Sequence, residues 1–336
     1  MRPCAIANIM SDSILEVRNL YVHFGSAAKP VKAVDGLSIS LKRGSILALV
    51  GESGCGKTST ALAITGLLPH PGRVVKGEVS FEGADLLRLS GEELRRIRGQ
   101  EISLIFQDPV AGLNPVLSIG DQVEEIIRTH TDHSKEEVRR LVGDALRRVG
   151  LAHPEELVKR YPFQLSGGMS QRVVIAIATV LNPKVMIADE PTSALDVTVQ
   201  AGILDELDRL RRERGVSILL ITHDMGIVAQ LADEVAVMYG GRIAEYGATR
   251  DILRRPRHPY TWSLLATLPR LDRSDRPLQS IKGSPPDAAD LPDECAFLPR
   301  CPKAVNECRV NPSPPLKELS PRQSAACYNP VVHLEE

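Results

Sequence analysis

The chain has 336 residues, 43% hydrophobic and 25% charged, with a formal net charge of -1 at pH 7. That length accommodates one large domain with a sizeable core plus an appendage, and the charge balance gives no electrostatic footprint for nucleic acid. No run is long and apolar enough to span a bilayer; the best, "VVIAIATVL", holds nine residues between Arg172 and Asn182.

In chain order, residues 1–12 read as a disordered lead rather than a signal peptide, with Met10 offering a second start. Residues Ile14 to Phe24 and Val34 to Leu41 alternate as half-buried strands. "SILALV", Ser45 to Val50, is a continuous apolar strand that runs into a glycine-rich turn, and Thr58 to Leu68 follows as a helix. A basic helical stretch from Leu94 leads into the strand "ISLIF". Residues Ile119 to Val149 are charged and helical. Apolar strands recur at Val185 to Asp189, Val216 to Thr222 and Glu234 to Tyr239. Strands alternating with helices predict an α/β core with a mostly parallel sheet, interrupted by a helical subdomain over about 107–181. After about Arg254 proline becomes frequent, and 277–330 shows little periodicity.

"GESGCGKTS" places Gly51, Glu52, Ser53, Gly54, Cys55, Gly56, Lys57, Thr58 and Ser59 between a predicted strand and a predicted helix. This is the G-x-x-x-x-G-K-[ST] phosphate loop in its required context. Glycines let backbone N–H groups curl around an anion, and the helix N-terminus adds its positive dipole end. Lys57 supplies charge to the β- and γ-phosphates, and Thr58 offers a hydroxyl to Mg²⁺. Cys55 reads as a small packing residue rather than a catalytic thiol. Further on, "VMIADEP" ends an apolar strand in two acids, Asp189 and Glu190. Paired carboxylates at a buried strand tip need a cation or a proton to offset their repulsion. Asp189 suits Mg²⁺, and Glu190 suits a base that orients and deprotonates an attacking water.

"LSGGMSQR", carrying Leu165, Ser166, Gly167, Gly168 and Gln171, resembles the signature motif of ABC-type ATPases. Other matches follow the same family. Gln107 in "LIFQDP" resembles the Q-loop glutamine, a further Mg²⁺ contact. Ser193, Ala194, Leu195 and Asp196 resemble the D-loop, and His223 resembles the switch histidine. Phe24 resembles the aromatic that stacks on adenine, with Tyr21 as the other candidate. The resemblance implies an α/β P-loop NTPase fold with an antiparallel β edge, spanning 13–254. It also implies a head-to-tail dimer, in which each ATP lies between the phosphate loop of one subunit and the signature of the other.

"FQDPVAGLNPVLSIGDQ", "ADEPTSALDVTVQAGIL" and "RHPYTWSLLATLPRLD" narrow the resemblance to the ATPase subunits of bacterial oligopeptide and dipeptide importers. That family implies two membrane permease subunits, a second ATPase subunit, an extracytoplasmic solute-binding protein, and a peripheral place on the cytoplasmic face of the plasma membrane. Nickel importers share much of the pattern. A soluble ABC ATPase acting on nucleic acid is the alternative from another class, although this chain shows neither a second cassette nor a long coiled-coil insertion. Small departures are Met169-Ser170 in the signature, Thr58 where serine is common, and Glu294 before Cys295. None removes a catalytic group.

The extension over 255–336 carries Cys295, Cys301, Cys308 and Cys327, spaced C-x5-C-x6-C-x18-C. In a reducing compartment such a set more often binds metal than forms disulfides. Four thiolates can saturate a tetrahedral zinc or a [4Fe–4S] cluster. The gaps are unlike paired C-x2-C zinc ribbons and unlike the short ferredoxin run. In the importer family this tail is associated with an iron–sulfur centre. Unligated thiols in a flexible tail are the remaining reading.

Overall fold

Alternating apolar residues over the first forty positions and continuous apolar runs further on both become strands in the computed structural model, which describes residues 12–26, 29–109, 111–193, 195–268 and 280–333. The expected lead therefore lies outside the described residues except for Asp12. The early strands are β1 (Ser13–Phe24), β2 (Val31–Lys42), β3 (Ile46–Val50), β4 (Arg73–Phe81), β5 (Ala84–Asp85) and β6 (Ile102–Ile105). The later ones are β7 (Val185–Asp189), β8 (Ser217–Thr222), β9 (Glu234–Tyr239), β10 (Arg242–Ala248), β11 (Lys317–Ser320) and β12 (Gln323–Ala325). Helices α1 (Lys57–Ile64), α2 (Gly91–Ile97), α3 (Ile119–His130), α4 (Lys135–Arg148), α5 (Pro154–Leu157) and α6 (Gly167–Thr179) are followed by α7 (Val197–Arg214) and α8 (Met225–Leu231). The last helices are α9 (Thr249–Arg254), α10 (Pro259–Ala266) and α11 (Glu307–Val310).

The chain divides into two units, the first built from the described parts of 1–40, 47–87 and 222–336, the second from 41–46 and 88–221. In the first unit, β1 turns Leu15, Val17, Leu20 and Val22 inward and pairs antiparallel with β4, Leu15 opposite Phe81. The order in this layer is β2-β1-β4-β5. A further strand set runs β11-β12-β10-β9-β3. Its β3 and β9 are parallel, with Val50 opposite Val237. Both are apolar runs buried on two faces, as parallel strands require.

The predicted irregular tail is more ordered than its composition suggested. β11 and β12 form a hairpin that pairs with the edge of β10, Glu245 opposite Ala325. Strands of four and three residues are too short to carry a readable period. The buried carboxylate of Glu245 fastens the junction: it accepts from Arg257 N–H at 2.7 Å, His258 N–H at 2.9 Å and Gln323 Nε2 at 2.8 Å. Below lies an aromatic cluster in which Phe297 packs on Tyr239 and Tyr260, with centroids 5.2 and 5.3 Å away. The same core contains Val50 and Val237.

The second unit has parallel strands in the order β8-β7-β6, and helices α3–α6 fill the stretch expected to be helical. α4 shows why. Ser134 and Glu137 form a reciprocal capping box, and Val138, Val142, Ala145 and Leu146 are buried at helical spacing. Gly215 closes α7 at φ 67°, a conformation glycine adopts without a Cβ penalty.

Truncating the side chain at the centre of the aromatic cluster tests the tail packing. Phe297, 1% exposed, should cost about 3–5 kcal/mol when changed to Ala. Denaturant unfolding followed by the fluorescence of Trp262, the single tryptophan, should show a lowered midpoint; an unmoved midpoint would contradict this packing.

Candidate active site

In the first unit, the phosphate loop is built where β3 ends and α1 begins. Gly54 and Gly56 sit at φ 80° and 106°. A Cβ at Gly51 would lie 2.2 Å from the Met238 carbonyl, and one at Gly56 would lie 2.1 Å from the Ala33 carbonyl. Only glycine permits that approach. Lys57 is buried and turns back over the loop, donating from Nζ to the carbonyls of Gly51 at 2.7 Å and Glu52 at 3.2 Å. Ser53, Gly54 and Thr58 are exposed, and Ser59 is half-buried. Cys55 is buried, and burial pushes its thiol up, keeping it protonated. This is the chemistry of a packing residue.

Two aromatics on β1 competed for the adenine. Tyr21 places its hydroxyl against Gly36 and holds Lys76 Nζ 5.7 Å above its ring. Phe24 ends the strand and lies against Gly72, where a Cβ would meet the ring at 2.5 Å. His223 is exposed, directly after β8 and before Asp224, whose carboxylate caps α8.

In the second unit, Asp189 is the last residue of β7 and is buried. Glu190 follows at φ 49°, with its N–H donating to the Ile221 carbonyl at 2.9 Å. A non-glycine residue at positive φ is uncommon and turns the side chain out of the strand's regular alternation. Gln107 is exposed just beyond β6. Its carbonyl accepts from Ser193 Oγ at 3.2 Å, so the sequence-predicted Q-loop and D-loop meet. Asp196 caps α7, accepting from Val199 N–H at 2.9 Å; Ala194 lies outside the described residues.

The signature also lies in the second unit. Leu165 closes a short 3-10 turn, and Ser166 caps α6 by accepting from Met169 N–H at 3.3 Å. Ser166 and Gly167 are exposed at that helix start, which presents amide donors and a positive dipole end. Gly168 has a packing reason as well, since a Cβ there would meet Val199 at 2.8 Å. Gln171, one turn in, is buried, and its Nε2 finds no hydrogen-bond partner among the described residues.

The four tail cysteines come together. Cys295, Cys301, Cys308 and Cys327 line one pocket and are free thiols. The β11–β12 hairpin carries Cys327 back to the other three, with Ala326 N–H donating to the Ala244 carbonyl at 2.8 Å. Burial raises the thiol pKa of Cys295, Cys301 and Cys327, the last to about 12. Backbone amides two residues further on oppose this, at Phe297, Lys303 and Asn329 respectively. Such N–H···S contacts favour thiolate. Among the described residues no three His, Cys, Asp or Glu side chains converge where one metal ion could sit. His258 lines the same pocket, but its Nδ1 accepts from Tyr260 N–H at 3.0 Å, and it also bonds the backbone at Ala326. Its ring is thus committed to the protein rather than to a metal.

The residue that the sequence reading overlooked is Arg300. Its guanidinium forms a bidentate pair with Glu52 of the phosphate loop, at 2.6 and 3.0 Å. No periodic or motif signal pointed to it.

Comparison with known proteins places this geometry in a family. Residues 34–193 match the ABC transporter family and 244–308 match the oligopeptide/dipeptide transporter C-terminal region. The chain is 48% identical to the dipeptide transport ATP-binding protein DppD of Bacillus subtilis, over 92% of this chain and 93% of that protein. It is 44% identical to the oligopeptide transport ATP-binding protein OppD of Escherichia coli, over 98% and 97%. Among solved structures, the dimeric structure of a bacterial ABC transporter cassette superposes with a TM-score of 0.64 at 27% identity, covering 70% of this chain and 99% of that one. The glycine-bound loop, the capped signature helix and the tail thus occur together in a chain that belongs to the ABC transporter family, in its branch of dipeptide and oligopeptide transport ATP-binding subunits.

Proposed function

We propose that the chain hydrolyses ATP to drive the import of peptides, as the ATP-binding subunit of a multi-subunit transporter. The observation that carries this is similarity to peptide-transport ATP-binding proteins over nearly the whole chain, tail included, supported by a loop whose Gly51 and Gly56 meet backbone carbonyls and whose Lys57 turns back over it. No helix among the described residues is long and apolar enough to cross a membrane. Membrane permease subunits and a second ATPase subunit therefore enter as partners. A solute-binding protein outside the membrane completes the assembly, and this chain sits peripherally on its cytoplasmic face.

The loop from Gly51 to Ser59 and Lys57 hold the β- and γ-phosphates, and Phe24 stacks on the adenine; Tyr21 is already engaged by Gly36 and Lys76. Thr58, Gln107 and Asp189 would hold Mg²⁺, which neutralises phosphate charge. Glu190 takes a proton from the attacking water as its oxygen bonds the γ-phosphorus and the bond to ADP breaks. His223 contacts the γ-phosphate. Leu165, Ser166, Gly167, Gly168 and Gln171 serve the partner subunit's ATP through the helix start they form, and the D-loop residues Ser193 to Asp196 lie beside that contact.

For the tail we propose a [4Fe–4S] cluster held by Cys295, Cys301, Cys308 and Cys327. A mononuclear zinc needs all four sulfurs about 2.3 Å from one ion, whereas a four-iron cluster takes one thiolate at each iron. The four thiols line one pocket, and gaps unlike the paired C-x2-C of zinc ribbons favour the cluster over zinc. When bound, the cluster supplies covalent cross-links to a proline-rich segment that buries little apolar surface of its own.

Two measurements test these assignments. Glu190→Gln should retain ATP binding and slow hydrolysis by ~100-fold or more; near-normal turnover would refute the base role. After anaerobic purification the chain should carry about four irons and four sulfides, lost on Cys301→Ser. One zinc with no iron would replace the cluster by a structural metal, and a folded, metal-free protein would end the ligand reading.

A further inference from the structure

Arg300 lies one residue before Cys301, but its side chain is spent on the phosphate loop rather than on the cysteine pocket. Nη1 donates to Glu52 Oε2 at 2.6 Å and to Tyr239 Oη at 3.0 Å. Nη2 donates to Glu52 Oε1 at 3.0 Å and to the Ile281 carbonyl at 3.4 Å. Nε donates to the Lys282 carbonyl at 3.0 Å. All five donors of the guanidinium are thus used, and the side chain is 5% exposed. The guanidinium also sits 5.8 Å from the Tyr239 ring centre. Tyr260 supports the same loop residue from the core: its Oη accepts from the Glu52 N–H at 3.0 Å.

Glu52 is a liability in an anion-binding loop. Its carboxylate is carried by the backbone whose amides must ring phosphates, and like charges at close range repel strongly when partly desolvated. We infer that Arg300 is a positioning residue for ATP binding. Its bidentate grip neutralises Glu52 and fixes the carboxylate on the tail side of the loop, so the C-terminal extension is part of the nucleotide site. This rests on the loop's binding ATP. It adds a role that none of the loop, acid-pair, signature or cysteine assignments contains.

The test is steady-state ATP hydrolysis by the full chain with its tail centre intact, read as KM against kcat beside the thermal midpoint. Arg300→Met should raise KM for ATP ~10-fold and leave kcat within ~3-fold, the mark of lost binding rather than lost chemistry. Adding Glu52→Gln should return KM to within ~3-fold of the parent, because the unpaired charge is gone. Arg300→Lys should fall between, since a lysine restores charge without the fork. Gln323→Ala loosens the tail hairpin elsewhere and should lower the midpoint without moving KM. The inference is overturned if Arg300→Met leaves KM unmoved, or if Gln323→Ala raises KM as much. Should Arg300→Met not fold, Arg300→Lys decides: KM raised ~3-fold or more with the thermal midpoint kept supports the role, and an unchanged KM defeats it. In each case a parent chain that hydrolyses ATP keeps the ATPase assignment standing independently.

Discussion

A backbone can ring a phosphate only if nothing but hydrogen occupies the inner side of the turn, and this requirement sets the geometry around it. The Met238 and Ala33 carbonyls press against Gly51 and Gly56 at distances no Cβ tolerates, so the loop lies flush on the ends of β9 and β2. The floor must then be stiff. It is made of β3 and β9, which are parallel and buried on both faces, and further fastened where Gly241 N–H donates to the Cys55 carbonyl at 3.1 Å. Lys57 lies against the loop's own carbonyls, which holds a buried ammonium in hydrogen-bonded surroundings.

The C-terminal extension meets the same floor from its other end. A proline-rich segment cannot organise itself around an apolar core, and this one borrows order in two ways. Its hairpin takes up the free edge of β10, which gives the backbone hydrogen bonds that the segment could not make alone. Its Phe297 enters an aromatic cluster with Tyr239, on β9 beside the phosphate loop, and with Tyr260, on α10 of the extension itself. The same register that closes the hairpin carries Cys327 to the three earlier cysteines. The hairpin pairing thus serves both the docking of the tail and the proposed cluster.

How much of this was legible in the sequence follows from the range of each interaction. The phosphate loop, acid pair, signature and D-loop are contiguous motifs, and each lies at an element boundary that apolar runs reveal. The cysteine spacing pointed to a candidate ligand set, but not to the pocket, which depends on a hairpin of two strands too short to show alternation. Tyr21 and Phe24 could not be separated by sequence, because the choice rests on what Gly36, Gly72 and Lys76 place beside each ring. Arg300 and Glu52 stand 248 positions apart. A single arginine before a cysteine has no period, no partner in view and no motif of its own.

That pair carries its weight through position more than through net stability. Exchanging a desolvated ion pair for well-packed apolar groups is often neutral or stabilising, so stability alone does not call for an arginine here. Geometry does. The guanidinium directs five donors along fixed lines in one plane, and here two lines end on Glu52, one on Tyr239 and two on carbonyls of the tail. A lysine could supply the charge, and an apolar residue could fill the space. Neither would fix the orientation of a carboxylate that must stay on the far side of the loop when phosphates occupy the near one. The tail therefore reaches the nucleotide site through a directional contact, and the proposed ligand Cys301 is the next residue along the chain.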